Sequence, residues 1–319
     1  MIAENLKASN QAALLDGAVV ANQIKEQVKR EVESLVREQG VAPCLATILV
    51  GEDPASAVYI RNKIRACEEV GIKSEHHGLP ESTSATELLE LVRSLNARDD
   101  VDGILTQLPL PEGIDETVVI EEIDPLKDVD GFHPINVGRL SQGHPQLVPC
   151  TPAGVIELLD YHQIEIRGVS ACVVGRSQIV GRPMAQLLLQ RDATVTMCHS
   201  RTRDLAAVTR QADLLVVAVG RPGMIGAAHI KPGATVVDVG MEKLTDPAEV
   251  QRLFGSAAEK RFAAISKRGY TLIGDVNQAE ALEVAGKFTP VPGGVGLLTV
   301  AMLMKNTLKA AKLRRGLIQ

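Results

Sequence analysis

Residues 170–174, 193–197, 213–219 and 234–239 form four short apolar runs, each closed by turn residues and separated from the next by a stretch of helical character. A strand that alternates apolar and polar residues buries one face. A strand that is apolar throughout needs cover on both faces, as in a parallel sheet with helices above and below it. Strands alternating with helices imply βαβ units rather than a series of hairpins. The first half of the chain has the same rhythm: helix 17–39, strand 45–51, helix 54–71, strand 73–79, helix 84–97 and strand 102–107. Aromatic residues make up 2% of the chain and Trp is absent. The cores are therefore built from Leu, Val, Ile and Ala, as is common in parallel α/β sheets.

Two loop-rich segments punctuate the pattern. QLPLPEG at 107–113 and DPLKDVDGFHP at 124–134 flank a short helical stretch near 115–122. Thr151 is the expected N-cap, and Pro152 the first residue, of a helix over about 152–162 that carries the chain between domains. TLIG at 271–274 is expected to close the second sheet. Residues 242–269 read as a polar, helix-prone insertion, and a Pro/Gly loop, TPVPGGVG at 289–296, precedes a last helix over about 298–314. A length of 319 residues suits two domains.

A formal net charge of −5 gives no general basic field for nucleic acid. The local cluster Lys312-Leu313-Arg314-Arg315 reads as a solvated helix end whose cations complement the helix dipole. Cys44, Cys67, Cys150, Cys172 and Cys198 are odd in number and fall in no metal-ligand spacing, which points to reduced, mostly buried thiols of a cytosolic protein. The opening MIAENLKASNQAALLDG lacks the features of a secretory signal, and no apolar run approaches the ~20 residues of a membrane span. A soluble, cytoplasmic protein is expected.

Tyr59 and Lys63 stand four positions apart in DPASAVYIRNK, so a helix places both on one face. A ring beside a proton carrier suits a flat heterocyclic substrate. Downstream, ACVV, GRSQIVGRP and MAQLLLQ at 171–190 make a strand, tight turn and helix start, an arrangement that aims backbone N–H groups at a pyrophosphate. The turn is not a GxGxxG fingerprint, since Gly175, Ser177 and Val180 occupy the three glycine positions. After the next strand, TMCHSRT lacks the acidic residue that binds the ribose of NAD. Arg176, Ser200 and Arg201 instead offer donors and positive charge to a 2′-phosphate, favouring NADP. Gly220-Arg221-Pro222-Gly223 and Asp238-Val239-Gly240-Met241 end the following two strands.

These segments together resemble the bifunctional methylenetetrahydrofolate dehydrogenase/methenyltetrahydrofolate cyclohydrolase family from about residue 15 to 310. The blocks that carry the resemblance are VGEDPASAVYIRNK (50–63), TQLPLP (106–111), DVDGFHPINVGRL (128–140), PCTPAG (149–154), VVGRSQIVGRP (173–183), IKPGATVVDVG (230–240) and TPVPGGVG (289–296). The resemblance implies that Lys63 is the catalytic lysine, with Gln107 hydrogen-bonding near it and Tyr59 packing on the folate ring system. It implies that Ser56 supports this constellation and that Asp130 binds the amino-pyrimidine edge of the pterin. Pro292 and Gly293 fall in the segment that closes over the substrate. Gly175, Arg176, Ser177, Ser200 and Met241 occupy cofactor-contacting positions.

Lys63 can move a proton only if part of its population is neutral. Burial and an amide partner lower its pKa, whereas a carboxylate neighbour raises it, so Gln suits position 107 better than Glu. Four departures from the family pattern stand out: Leu297 in place of proline, Thr106 in place of an apolar residue, an unusual segment after Gly274-Asp275-Val276, and a longer 242–269 stretch. His133, His199, His76 and His77 read as structural, and no metal is expected.

The expected architecture is α/β in two domains. A folate-binding domain covers residues 1–151 and is completed by the C-terminal segment 289–319. A Rossmann-like NADP-binding domain with a parallel sheet covers 152–288, and the active cleft lies at their junction. The expected partners are tetrahydrofolate derivatives and, as the family implies, a second copy of the chain. Two alternatives carry different signatures. A dehydrogenase of another small acid needs a cationic carboxylate clamp in place of Tyr59, Gln107 and Asp130, and a non-enzymatic NADP-binding regulator has no use for Lys63.

Overall fold

The computed structural model describes residues 11–318. They divide into two compact units, one made of Val19–Gly154 with the chain from Leu297 onward, the other of the chain up to Ala18 with Val155–Gly296.

In the first unit Cys44–Val50 is the central strand of a three-stranded parallel sheet, between Lys73–Leu79 and Gly103–Thr106. Every residue of the central strand is buried, as its unbroken apolar run predicts. The helix Pro54–Val70 starts where Asp53 Oδ2 accepts the Ser56 N–H at 2.7 Å, with proline in its first turn. The helix Ala85–Asn96 begins in a reciprocal box between Ser84 and Glu87. Its Leu88, Val92 and Leu95 pack on Ala46, Ile48 and Ile104 to form an aliphatic core. Lys127 is fully buried and closes the far end of this helix, donating to the carbonyls of Leu95, Asn96 and Arg98 at 2.6–2.8 Å. Leu95 and Asn96 belong to the helix's last turn, whose carbonyl groups lie beyond the reach of the regular intrahelical bonds.

The second unit holds a six-stranded sheet, parallel throughout, in the order Ala13–Leu14, Lys287–Phe288, Thr235–Asp238, Leu214–Val217, Ser170–Val174, Thr194–Cys198. From Ser170–Val174 the chain turns to one side for Thr194–Cys198 and to the other for Leu214–Val217, so the connection reverses between two neighbouring strand ends. Such a switch point is where doubly wound sheets bind ligands.

Several expectations need correction. TLIG does not close this sheet: Thr271–Ile273 pairs antiparallel with Glu242–Leu244 in a separate ribbon. The place is taken by Lys287–Phe288 and, outside it, by Ala13–Leu14. Ala13–Leu14 and the loop up to Gly296 therefore pack with the unit of the six-stranded sheet, not with the rest of residues 1–151 and 289–319. Residues 242–269 are more than a polar insertion. Helices Pro247–Phe254 and Ala258–Arg268 fold over a small core of Val250, Leu253, Phe254, Ala258 and Ile273.

Thr151 is not an N-cap. The helix already begins at Cys150, and the Thr151 hydroxyl instead pairs with that of Thr299 at 2.9 Å. A helix not anticipated, Pro134–Ser141, follows the DVDG loop. The basic cluster near the C-terminus is not simply solvated: Arg314 and Arg315 both bind the fully buried Asp102, and Lys312 pairs with Glu31. Desolvating Asp102 at the amino edge of the sheet requires those cations. All five cysteines are buried free thiols. Among the described residues no helix is long and apolar enough to cross a membrane, and no cluster of His, Cys, Asp and Glu is suited to hold a metal ion.

Candidate active site

The lysine's helix leaves the carboxyl end of Cys44–Val50, and Gln107 follows the carboxyl end of the adjacent Gly103–Thr106. Gln107 N–H donates to the Ile48 carbonyl at 2.8 Å, fixing the residue at this edge. Its side-chain Nε2 is engaged by the Leu108 carbonyl at 2.8 Å, so Oε1 faces Lys63 and accepts from Nζ at 2.9 Å. Burial lowers the pKa of Lys63, against an opposing pull from the charge of Asp130. For Asp130, burial lifts the carboxyl to about 6, with Lys63 working the other way and Asp128 adding to the rise. One environment thus drives an amine down and a carboxyl up, the pattern expected where protons are exchanged near neutral pH.

Tyr59, one turn before Lys63, is 40% exposed, while Ser56 is buried at the helix start. The preceding Thr106 is buried, and its hydroxyl finds no hydrogen-bond partner among the described residues.

Asp130 sits in a loop braced from three directions. Asp128, buried, accepts the N–H groups of Phe132 and His133 and the amide of Asn136 at 2.8–3.2 Å. Gly131 has φ +73°, and a Cβ there would lie 2.5 Å from the Val148 carbonyl carbon, so the turn admits only glycine. Asn306, on the last helix, donates to both Val129 O and Val148 O at 2.8 Å and touches Cys150 Sγ. Neither Asp128 nor Asn306 was singled out from sequence. Asp128 had a signal in the DVDG motif, but Asn306 had none. His133 is structural, its ring accepting the Ile135 N–H.

In the other unit, Gly175 ends Ser170–Val174 at the switch point with φ +122°, and a Cβ there would lie 2.1 Å from Ala218 O. Gly181 backs against Gly175 as closely, at 2.3 Å from a built Cβ to the Gly175 carbonyl oxygen. Together they form a cradle of bare backbone. The Ser177 hydroxyl accepts the N–H groups of Val180 and Gly181 at 3.2 Å, so it shapes the start of the helix Gly181–Gln190. Arg176 is exposed beside it, and Ser200 and Arg201 are exposed just past the neighbouring strand Thr194–Cys198. Met241 follows Thr235–Asp238 and packs against Gly296. Pro292 is exposed, and Gly293, with φ +113°, accepts the Gly17 N–H at 2.9 Å.

Two buried carboxylates not singled out as site residues shape this edge. Asp275 accepts the N–H groups of Val219, Gly220 and Arg221, and Asp238 accepts those of Gly240, Asp275 and Val276. Burial pushes Asp238 up to about 7.

Residues 15–130 match the catalytic domain of tetrahydrofolate dehydrogenase/cyclohydrolase, and residues 149–315 match its NAD(P)-binding domain. The chain belongs to the tetrahydrofolate dehydrogenase/cyclohydrolase family. It is 56% identical to the bifunctional protein FolD of Koribacter versatilis over 305 residues, which cover 96% of this chain and 98% of that one. The bifunctional enzyme FolD of Campylobacter jejuni has a similar structure, with TM-score 0.85 at 44% identity over 95% of this chain and 99% of that one. So has the methylenetetrahydrofolate dehydrogenase-cyclohydrolase of Trypanosoma brucei, solved with NADP and an inhibitor, at TM-score 0.85, 38% identity and 97% and 99% coverage.

The tetrahydrofolate dehydrogenase/cyclohydrolase domains take in both sheet edges: Lys63, Gln107 and Asp130 in the catalytic match, Gly175, Arg176 and Ser200 in the nucleotide match. The second edge fits a dinucleotide phosphate. Gly175 and Gly181 let backbone pack on backbone where the strand turns into the helix Gly181–Gln190, the turn that meets a pyrophosphate in dinucleotide folds, and exposed Arg176 and Arg201 with no acidic residue in 199–203 suit a 2′-phosphate.

Proposed function

We propose that this protein catalyses NADP-dependent oxidation of 5,10-methylenetetrahydrofolate to the methenyl compound and then hydrolyses that product to 10-formyltetrahydrofolate. The observation that carries the reading is the 2.9 Å hydrogen bond from Lys63 Nζ to Gln107 Oε1, made by a lysine whose pKa burial has lowered. In the hydrolytic step neutral Lys63 takes a proton from the water that adds to the methenyl carbon. Gln107 holds the amine in place without the charge that would keep it protonated. Tyr59 packs on the folate ring, Ser56 supports that helix start, and Pro292 and Gly293 line the substrate from the Pro/Gly loop. Gly175, Arg176, Ser177, Ser200 and Met241 hold NADP. Bound there, the nicotinamide supplies the two-electron acceptor for the oxidation. A homodimer joined through the cofactor domains and a cytoplasmic location belong to the same reading. The deciding experiment is an assay with methylenetetrahydrofolate that follows reduced cofactor and methenyl product separately. Cofactor reduction with no decay of the methenyl product would remove the second activity from the proposal.

Asp130 is assigned to the pterin's amino-pyrimidine edge, where an ionised carboxylate accepts paired N–H donors. Asp130→Ala is expected to weaken folate binding by about 2 kcal/mol, the low end for a charged partner, because the residue is only half-buried. NADP binding should be unchanged. Since Asp130 titrates at about 6, the parent's folate affinity should fall as the pH drops through that value, and the variant's should not. Calorimetric titration of both ligands across pH checks this, and equal weakening of both would point to a structural role.

Cofactor choice is assigned to Arg176 and Ser200. Arg176→Ala combined with Ser200→Asp removes a cation and adds a repelling carboxylate, and should lower NADP affinity roughly 10- to 100-fold while NAD changes little. Both cofactors are titrated at one ionic strength, because salt screens exposed charges. A parent that binds NAD as tightly as NADP would contradict the assignment.

A further inference from the structure

The helices that fold out between Glu242–Leu244 and Thr271–Ile273 reach the Pro/Gly loop. Arg261, in the middle of Ala258–Arg268, donates from Nη2 to the carbonyl oxygen of Val291 at 2.7 Å. The same nitrogen lies 3.5 Å from Gln278 Oε1, and the guanidinium carbon sits 4.3 Å from the centre of the Phe254 ring. Phe254 is buried in the small core of this excursion, so the arginine rests on a fixed plate. Burial and the like charge of Arg268 both work against the cation, and the contacts with Phe254 and Val291 offset that cost.

The loop has reason to need an outside donor. In Pro290-Val291-Pro292 two of three residues lack a backbone N–H, so the segment cannot brace itself through a ladder of its own. Its anchors come from elsewhere in the sequence: Thr289 Oγ1 accepts the Asp238 N–H at 2.7 Å, Gly17 N–H binds Gly293 O, and Arg261 binds Val291 O. The Arg261 bond attaches directly before Pro292 and Gly293.

We propose that Arg261 is a positioning residue for folate binding, a side chain of the 242–269 excursion that fixes the Val291 carbonyl so that Pro292 and Gly293 present a set surface to the substrate. This rests on the reading above that the loop meets folate. The excursion then has a use: it supplies, from outside the sheet, the donor that the two prolines cannot.

The test is steady-state kinetics on the full-length enzyme, varying methylenetetrahydrofolate and NADP in turn, with thermal unfolding and amide exchange of residues 289–296 measured alongside. Arg261→Ala is expected to raise the folate KM roughly tenfold, the worth of one charge-assisted hydrogen bond, with the NADP KM unchanged and faster exchange in the loop. Arg261→Lys, which keeps a cation and a donor, should recover most of the loss. Should Arg261→Ala not fold, Phe254→Leu takes its place, since it removes the plate under the guanidinium but keeps an apolar side chain; the folate KM should again rise. An unchanged folate KM in the folded variant, or folate and NADP KM rising together, overturns the proposal. Gly293→Ala separates the two readings by placing a side chain at φ +113° in the loop itself. A folate KM that responds to Gly293→Ala and not to Arg261→Ala removes the role of Arg261 alone. A folate KM that responds to neither removes the loop reading, and the role of Arg261 with it.

Discussion

Replacing Lys63 with Met is expected to slow hydrolysis of 5,10-methenyltetrahydrofolate by ~10²- to 10⁴-fold, the usual worth of a positioned general acid or base. Met keeps the length and apolar stem of the lysine, so stability should change little. The oxidation step should suffer less, because it depends on holding two reacting carbons together rather than on this amine. A second readout is the pH profile. Only the neutral amine accepts a proton, and burial lowers the pKa of Lys63, so the parent's hydrolysis should rise with pH in a range below that of an exposed lysine. That rise should be absent in the variant. A folded Lys63→Met enzyme that hydrolyses the methenyl compound at the parental rate would mean that another group moves the proton.

The largest expected effect on stability lies at the opposite edge of the same sheet. Asp102 is fully buried; it accepts Arg314 Nη1 at 2.8 Å, Arg315 Nη1 at 2.6 Å and the Cys44 N–H at 3.0 Å. Asp102→Ala leaves two partly buried guanidinium groups facing each other and an orphaned N–H at the start of the central strand. Removing one member of such a group costs about 3–5 kcal/mol. Urea unfolding of parent and variant measures the difference, and a loss under about 1 kcal/mol would class the cluster with exposed surface pairs. Because Asp102 lies away from the carboxyl edge, the folded fraction should keep the parent's cofactor affinity.

Much of this was legible in the sequence because burial on both faces leaves a local mark. Cys44–Val50 and Leu214–Val217 are apolar at every position, and Gly175 and Gly181 sit where backbone meets backbone. The pairing of Lys63 with Gln107 was expected from the family resemblance alone; that each follows the carboxyl end of a neighbouring strand is seen only in the fold. Other features leave no local mark. In Pro134–Ser141 the apolar Ile135 and Val137 face outward, 50% and 43% exposed, while Asn136 is buried, so the helix carries an inverted pattern. TLIG has the composition of a strand, but composition does not say which strand it will join. Asn306 lies 177 positions from Val129, and only the closed fold gives its amide a purpose. The roles assigned to Asp130 and Pro292 came from the family resemblance and not from spacing.

The two ends of the described chain are exchanged between the units: Ala13–Leu14 lies on the outer edge of the six-stranded sheet beside Lys287–Phe288, and the residues after Gly296 complete the smaller sheet's unit. That arrangement sets a schedule for synthesis. While the ribosome is still translating the middle of the message, Ala13–Leu14 has no strand to pair with, and Asp102 waits for arginines not yet made. At ~5–20 residues per second that interval lasts on the order of tens of seconds, during which both sheets have an uncovered flank. The six-stranded sheet can complete itself only once Lys287–Phe288 has been made, and the other unit only once the chain after Gly296 has. Termination before Lys287 leaves both units unfinished, whereas termination within the last helix strands only the unit that holds Asp102.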